Sequence, residues 1–357
     1  MDSALSWVRS YLTNRTQCIV IGNGKSSRFD LNCGVPQGSC LGPLFSIYTS
    51  QLFTIIKQHL PSVHCYADDT QMYLAFKPDD STAQNNAMAA MEECLHEIRQ
   101  WMIRDRLLIN DDETKFALIG TNAQLRKVSI STLRIGDAEV HPSIDPIRNL
   151  GVCIDNAFSM KPHVINTCKS TFFHLHNIRR IGKYLSRDST EKLIHAFVSN
   201  RLDYCNGLLY GAPKNLIAKL HRVQNTAARI VYCMPMFCHI TPLLFDLHWL
   251  PVNFRIDYEI ITTTFKCLHN TAPHNLSSLL SVQKNSKYGL RSNIQFLLSR
   301  PNFKTLATIG DRAFIAAAPK LWNTLPLTLR NTDFNLFKNK LKTFLFRQAF
   351  NDFKCLD

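Results

Sequence analysis

Two aspartates stand side by side in residues 64–76 (HCYADDTQMYLAF). Adjacent carboxylates repel each other and are costly to bury, so they either lie in a solvated turn or bind a cation. The residues on both sides favour strands, which predicts a β-hairpin with Asp68 and Asp69 at its turn. Carboxylates in this position could bind Mg²⁺, and two such ions about 3.5–4 Å apart promote phosphoryl transfer. A solvated Asx turn is the alternative for the pair considered alone.

Short elements must position this hairpin. Residues 17–21 and 28–31 are predicted strands around a turn at 22–27. A loop at 34–43 (GVPQGSCLGP), with three glycines and two prolines, leads to a predicted helix at 44–60. The hairpin strands are predicted at 63–67 and 70–76, and period-two alternation places Met72, Leu74 and Phe76 on one face.

The chain then changes from mixed to mainly helical patterns. Apolar residues at three- and four-residue steps predict an amphipathic helix at 81–106, with its core face formed by Met88, Met91, Leu95, Ile98 and Met102. A turn is predicted at 110–113, a strand at 115–120 and several short strands within 128–154. Helices are predicted at 163–184, 188–200, 213–232, 251–270 and 332–350, whereas residues 271–331 give no clear pattern.

The formal net charge of +14 is unevenly distributed. Residues 1–160 contain 14 Lys and Arg against 17 Asp and Glu, whereas residues 161–235 contain 12 against 3 and residues 236–357 contain 15 against 7. A basic C-terminal part favours a nucleic acid or another polyanion as its partner. A merely soluble basic surface is the alternative.

Cysteine usage and hydropathy argue against a disulfide-bonded, membrane-spanning or secreted protein. The 12 cysteines are scattered without a C-x-x-C motif, which is typical of free thiols in a reducing compartment. Cys233, Cys238 and His239 do not match a zinc template, so we interpret them as structural. No apolar run approaches the roughly 20 residues of a membrane span, and the N-terminal residues lack the pattern of a secretion signal. We therefore expect an intracellular protein of the nucleus or cytoplasm, neither secreted nor bound to membranes.

The sequence resembles the reverse transcriptase of non-LTR retrotransposons, the LINE type near the Jockey group. The resemblance covers nearly the whole chain. It lies in the hairpin and its preceding loop, and in further motifs at 6–12 (SWVRSYL), 15–17 (RTQ), 110–120 (NDDETKFALIG), 148–155 (RNLGVCID), 201–206 (RLDYCN), 208–211 (LLYG), 222–229 (RVQNTAAR), 239–242 (HITP), 247–252 (LHWLPV), 310–314 (GDRAF) and 318–323 (APKLWN).

The resemblance implies a set of site residues. Asp68 and Asp69 match the catalytic, metal-binding aspartates of a polymerase palm, with Mg²⁺ or Mn²⁺ as the cofactor. Tyr66 and Ala67 match positions beside the primer end and the incoming nucleotide. The loop residues Gln37, Gly38 and Ser39 match positions that contact nucleotide and template, and a glycine-rich backbone suits that contact because it exposes N–H groups to phosphate.

The resemblance also implies an α+β fold divided into three parts. Residues 1–158 are expected to form a partial palm, in which 148–155 is a hairpin like the primer grip. Residues 159–235 are expected to form a basic helical thumb, and 236–357 the C-terminal helical region of LINE-type proteins. The implied partners are an RNA template, a DNA primer and deoxynucleotides. Core packing is expected for Trp249 and Trp322.

Three departures from the family pattern bear on activity. The family palm has a further aspartate upstream of the glycine-rich loop, and Asp30 lies in the wrong position to replace it, so we expect an incomplete two-metal site. The segment after Gly42 is one residue short, which would rotate a helix by about 100°. The family motif places a lysine where Glu113 stands, and Lys115 lies about 6.6 Å further along a strand.

Two functions are therefore predicted from the sequence. One is a truncated LINE-type RNA-directed DNA polymerase, which performs two-metal nucleotidyl transfer in the intact family. The alternative is a catalytically inactive remnant that at most binds nucleic acid.

Overall fold

The computed structural model describes residues 3–31, 42–111, 113–136, 138–283, 296–301 and 309–351. The chain divides into two compact units, one formed by Met1–Phe116 and Ala123–Ser143 and the other by Ala117–Asn122 and Ile144–Asp357. Helices and two-stranded antiparallel sheets make up the described elements. This content confirms the α+β class. The division into 1–158, 159–235 and 236–357 stays a prediction about function.

The first unit begins with helix α1 (Ser3–Leu12) and two small ladders. Strand β1 (Thr16–Gln17) pairs with β4 (Phe29–Asp30), and β2 (Val20–Ile21) pairs with β3 (Gly24–Lys25). The turn predicted at 22–27 is therefore shorter, because Gly22 adopts a φ of 59° and reverses the chain at once. Asp30 lies exposed in β4 opposite Thr16, as an ordinary strand residue.

The helix predicted at 44–60 is divided into α2 (Gly42–Tyr48) and α3 (Gln51–His59). The Thr49 hydroxyl donates to the carbonyl oxygen of Phe45 at 3.0 Å, a bond that bends helices. Helix α4 (Ser81–Arg104) is continuous and begins at Asp80, whose carboxylate accepts from the backbone N–H of Ala83. The apolar face predicted for α4 is confirmed, since Leu95 and Ile98 are buried.

The remaining strands form three hairpins. They pair β5 (Ser62–Tyr66) with β6 (Asp69–Tyr73), β7 (Leu133–Ile135) with β8 (Ala138–Val140), and β9 (Ile147–Asn149) with β10 (Val152–Ile154). The strand predicted at 115–120 is wrong. That segment forms no ladder with any described residue, and single backbone hydrogen bonds link Ser143 to Phe116 and Gly120 to Asn156. Helix α5 (Asn122–Leu125) follows it.

The second unit is mainly helical, as predicted. Its helices are α6 (Lys161–Ile181), α7 (Arg187–Ile194), α8 (Asn200–Asp203), α9 (Lys214–Val231), α10 (Ile240–Asp246), α11 (Val252–Leu268), α12 (His274–Ser277), α13 (Phe314–Trp322), α14 (Leu327–Arg330) and α15 (Phe334–Ala349). The helix predicted at 188–200 is interrupted by a π-helical turn, His195–Ser199. No helix among the described residues has the length and apolar character needed to cross a bilayer.

Two packed cores hold this unit together. The larger one extends from Val152 to Phe350 and includes Trp249, and the smaller one stacks Phe265 on Phe337 beside Trp322. Trp249 is 5% exposed and Trp322 is 1% exposed, which confirms core packing for both. Each indole N–H also donates a hydrogen bond, to Glu191 and to the carbonyl oxygen of Phe296 respectively.

Several of the motifs that carry the family resemblance meet one another in this unit. The Arg312 guanidinium donates to the carbonyl oxygens of Phe158, Leu208 and Tyr210 at 2.9–3.2 Å. Gln224 donates to the carbonyl oxygen of Leu250 at 2.7 Å. Buried carbonyl groups need such donors, so these side chains join segments that are distant in sequence.

Replacing Arg312 by lysine tests whether its hydrogen bonds to the three carbonyl oxygens stabilise the fold. A single ammonium group cannot reach three carbonyl oxygens in the planar geometry of a guanidinium, so acceptors lose their partner. We expect a loss of at least about 2 kcal/mol in the free energy of unfolding, measured by thermal and urea unfolding. Arg347→Lys on the exposed side of α15 is the matched control and should change stability little. Equal stability of both variants would contradict the assigned role.

A largely buried carboxyl group on α11 gives a pH prediction. Burial raises the pKa of Asp257 to about 6. A raised pKa means that the folded state holds the proton more tightly, so stability decreases as the pH rises from about 4 to 6 and stays lower above it. Asp257→Asn should therefore raise the unfolding midpoint at pH 7.5 and leave it unchanged at pH 4. An equal effect at both values would show that ionisation of Asp257 is not involved.

Candidate active site

The β5–β6 hairpin places Asp68 and Asp69 in two different positions, one in the turn and one in a strand. Its register pairs Tyr66 with Asp69, so the turn consists of Ala67 and Asp68. The turn was predicted one residue later, at Asp68 and Asp69. Asp68 therefore lies at the tip of the hairpin, while Asp69 is the first residue of the returning strand.

The turn geometry follows from the register of the strands. Ala67 has a φ of 55°, whereas Asp68 has a negative φ, which is the sign pattern of a type II′ turn. A left-handed alanine costs about 1–2 kcal/mol, and a slip by one residue would relieve it. Such a slip would turn the apolar residues Val63 and Met72 from the core to solvent, so packing fixes the turn.

The hairpin has one packed face and one exposed face. Val63, Cys65 and Met72 lie against a core that is formed by α3 and α4 and contains Leu52, Ile56, Leu60, Cys94, Ile98 and Trp101. On the other face, the side chains of Tyr66 and Asp69 are exposed at the turn. The site is thus the free end of a hairpin whose back is anchored to two helices.

The support beneath the hairpin is mainly apolar and includes a partly buried polar contact. Trp101 donates its indole N–H to the Gln51 side chain at 3.2 Å, which links α4 to α3. Cys94 is fully buried, and burial raises the pKa of its thiol to about 11, with a further increase from Glu97. This thiol stays neutral and serves packing.

The side chains of Asp68 and Asp69 form no hydrogen bond or ion pair with any other described residue. Both are exposed, so each carboxylate can be solvated and remains available to a ligand. Carboxylate oxygens are hard donors of the kind that Mg²⁺ prefers. The geometry therefore supports a cation-binding turn as well as a solvated one.

Comparison with known proteins finds similarity to reverse transcriptases. Residues 1–154 match the family described as reverse transcriptase (RNA-dependent DNA polymerase). The chain is 27% identical over 267 residues to a probable RNA-directed DNA polymerase from transposon BS of Drosophila melanogaster, covering 70% of this chain and 28% of that protein. It is 22% identical over 302 residues to the RNA-directed DNA polymerase from mobile element jockey of Drosophila funebris, covering 82% of this chain and 32% of the relative.

Residues 1–154 thus match the reverse transcriptase family, and the chain is similar to RNA-directed DNA polymerases of the BS and jockey elements. The corresponding jockey polymerase of Drosophila melanogaster is 26% identical over 167 residues, covering 44% of this chain and 17% of the relative. The chain thus spans about a third or less of the length of these relatives. No solved structure matches this chain.

Reverse transcriptases use divalent metal ions, so the residues of this domain can be tested against that requirement. Among the residues that the structure describes, no group of three His, Cys, Asp or Glu side chains is placed to hold a metal ion. Asp68 and Asp69 provide two hard carboxylates, whereas a two-metal site needs more. The described residues therefore do not complete such a site.

The other predicted site residues fall into two groups. Tyr66 ends strand β5 and Ala67 lies in the turn beside Asp68, while their predicted contacts with primer and nucleotide stay a prediction. Gln37, Gly38 and Ser39 lie outside the described residues.

Glu113 lies in a turn, as predicted for 110–113, whereas Lys115 is not in the strand that was predicted for it. Glu113 belongs to a turn in which its N–H donates to the carbonyl oxygen of Asn110, and Arg99 pairs with Asp111 in the same turn. Both Glu113 and Lys115 are exposed. Because the segment is not in a ladder, the strand spacing used for Lys115 does not apply.

Sequence reasoning missed one pair on the exposed face of the hairpin. The Tyr73 hydroxyl lies 2.6 Å from Nε2 of His64, and the two rings stack at 5.4 Å. The signal was present, because alternation places both residues on the face that carries Tyr66 and Asp69. His64 precedes Asp68 by four residues and Tyr73 follows Asp69 by four, so this contact steadies the strands at some distance from the carboxylates.

The hairpin β9–β10 has a turn of its own that is fixed from outside. Leu150 and Gly151 both have positive φ, the pattern of a type I′ turn. The Tyr204 hydroxyl donates to the carbonyl oxygen of Leu150, and its ring would lie 3.4 Å from a Cβ added at Gly151. Asp155 then accepts from the N–H groups of Ser159 and Met160 and starts α6. The hairpin predicted at 148–155 is confirmed as a structure.

The structure describes the whole basic segment 161–235. Most of its Lys and Arg side chains form no ion pair with a described carboxylate. Of its 12 Lys and Arg residues, two form ion pairs with described carboxylates: Arg187 with Asp246 and Lys192 with Asp188. The remaining ten leave a surface that favours polyanions. This excess is the second feature of the domain that bears on function.

Replacing Ala67 tests whether the turn is strained. Glycine adopts positive φ without a Cβ penalty, so Ala67→Gly should stabilise the hairpin by about 1 kcal/mol. Amide hydrogen exchange in β5 and β6 should slow by roughly fivefold. Ala75→Gly, just after β6 at negative φ, is the matched control and should not slow exchange. Equal or faster exchange in Ala67→Gly would contradict the assigned strain.

Proposed function

We propose that this chain is a segment of an RNA-directed DNA polymerase in which Asp68 and Asp69 belong to the palm. The observation that carries the proposal is the anchored hairpin, which exposes both carboxylates and Tyr66 at its free end. In this reaction the 3′-hydroxyl of a DNA primer attacks the α-phosphate of a deoxynucleoside triphosphate, a new phosphodiester bond forms and pyrophosphate leaves, with RNA as the template. Residues 1–158 are the palm in this proposal, 159–235 the thumb and 236–357 the C-terminal region.

In the proposal, the chain's own residues divide the work. Asp68 and Asp69 offer hard oxygen donors for Mg²⁺ or Mn²⁺. Tyr66 and Ala67 lie beside the primer end, and the family resemblance assigns contact with nucleotide and template to Gln37, Gly38 and Ser39. The ten cations of 161–235 that pair with no described carboxylate attract the phosphates of the nucleic acid without reading its bases.

A second function is favoured by a specific observation. Among the described residues, no three His, Cys, Asp or Glu side chains are grouped so that they could hold a metal ion, and a two-metal site needs more ligands than Asp68 and Asp69. With Asp68 and Asp69 as its only metal ligands, the domain would bind nucleic acid through its basic part and would not extend a primer. The two functions differ in whether Asp68 contributes to synthesis.

Primer extension on an RNA template, with Mg²⁺ or Mn²⁺, distinguishes the two. If the polymerase proposal holds, the chain extends the primer and Asp68→Ala abolishes synthesis, because removing a metal ligand removes the metal-dependent step. Asp79→Asn is the matched control, since Asp79 is an exposed aspartate elsewhere in the same unit. Synthesis at the level of Asp68→Ala, in a preparation shown to be folded by circular dichroism, supports nucleic-acid binding without catalysis.

A further inference from the structure

Helix α6 presents an unusual combination of charge and apolar surface. Residues 156–187 contain six Lys and Arg but no Asp or Glu. Large apolar side chains are exposed on the same segment, with Phe173 at 63% and Tyr184 at 78%. A basic segment that also exposes aromatic rings calls for a partner that matches both properties.

These residues follow one face of the helix. Lys169, Phe173, Asn177 and Arg180 are spaced by four, four and three residues, the repeat of a single helical face. Tyr184 continues the line in the 3₁₀ turn Gly182–Tyr184. We call these five residues the basic-aromatic stripe. The rise of a helix spreads Phe173 and Tyr184 over roughly 16 Å.

The stripe borders an open cleft and a stacked group of rings. The cleft has a volume of about 650 Å³ and is lined by Asn177, Arg180, Ile181, Lys183 and Tyr184. Lys183 places its ammonium group 4.8 Å from the centre of the Tyr184 ring. At the other end, Phe173 contacts His174, which stacks on Phe197 at 5.3 Å.

The charges on the neighbouring element have the same sign. The π-helical turn His195–Ser199 packs beside α6, and Arg201 follows it with its Nε–H donated to the carbonyl oxygen of Phe197. Burial of the ring lowers the pKa of His174, and the exposed guanidinium of Arg201 lowers it further. An additional cation thus borders the aromatic group without an acidic partner within salt-bridge distance among the described residues.

We propose that the basic-aromatic stripe binds single-stranded nucleic acid by stacking unpaired bases on Phe173 and Tyr184. Exposed aromatic rings stack on any base that is not already paired, and flanking cations bind the intervening phosphates. A duplex would use the cations but leave the rings unused, because its bases are stacked inside. The inference rests on the proposed nucleic-acid role of 159–235 and names the form of nucleic acid that this face takes.

The experiment compares two labelled ligands on the full chain by fluorescence anisotropy. One is a single-stranded RNA of about 12 nucleotides, within the site size of known single-strand binders, and the other is the RNA–DNA hybrid of the same sequence. In the double variant Phe173→Ala with Tyr184→Ala, affinity for the single strand should decrease at least about tenfold. Affinity for the hybrid should stay within about twofold, since its phosphate contacts remain.

Matched variants separate base stacking from simple apolar contact. Phe237→Ala removes an aromatic ring that is 89% exposed outside the stripe and should leave both affinities unchanged. Replacing Phe173 and Tyr184 by tryptophan should retain single-strand binding, whereas leucine at both positions should lose it. Retention with leucine would overturn stacking and favour an apolar protein partner for this face.

The remaining outcomes test the two proposals separately. Unchanged single-strand affinity in the double alanine variant would overturn the inference while nucleic-acid binding stands. An equal loss for both ligands would also overturn it, because the stripe would then contact duplex. If the unaltered folded chain binds neither ligand at low salt, the proposed nucleic-acid role itself is wrong.

Discussion

The register of β5 against β6 is the constraint on which the candidate site depends. Five cross-strand pairs place Val63 and Met72 on the core, and this choice forces Ala67 into a positive φ and Asp68 to the tip. The partial burial of Val63, Cys65 and Met72 together outweighs the strain of one alanine, because full burial of a single apolar side chain contributes about 1.5–3 kcal/mol. The position of the carboxylates is thus a consequence of packing on the opposite face.

The second unit is organised by a different device. Side chains that belong to separate sequence motifs donate to main-chain carbonyl groups that lie outside α-helices and strands: Arg312 to three of them, Gln224 to Leu250 and Tyr204 to Leu150. A turn exposes carbonyl groups that no ladder satisfies, so a donor from elsewhere in the chain fixes both the turn and the distance between segments. These motifs therefore have a structural role that is independent of catalysis.

Sequence patterns predicted the elements with strong periodicity and missed those decided by single contacts. The hairpin, α4, α6, α9, α11 and α15 follow from alternation or from three- and four-residue steps. The interruption at Thr49 and the π-helical turn at His195 do not, because each depends on a local hydrogen bond that composition does not specify. Helices α13 and α14 were missed, since Pro319 and Pro326 argue against helix although one lies inside α13 and the other precedes α14.

For the candidate site, the residues could be predicted from sequence, whereas their surroundings could not. The spacing within residues 64–76 was enough to predict a hairpin, but the one-residue shift of its turn follows from which side chains the α3–α4 core accepts. The contact between His64 and Tyr73 also depends on that register. Local sequence cannot determine these features, because the deciding partners lie elsewhere in the chain.

The exposure of Asp68 and Asp69 separates the stability of this fold from its chemistry. Neither carboxylate forms a hydrogen bond or ion pair with another described residue, and both are exposed to solvent, so the folded state gains little from them and loses little by keeping them adjacent. If the two carboxylates were buried side by side, they would destabilise the folded state unless a cation bound to them. The hairpin can therefore fold whether or not a metal binds, and substitution of either aspartate changes what the turn can bind without changing how it is held. The same reasoning applies to the basic-aromatic stripe, whose side chains lie outside both cores. Packing of the cores thus fixes the positions of these exposed side chains, whereas the stability of the fold does not depend on which residues they are.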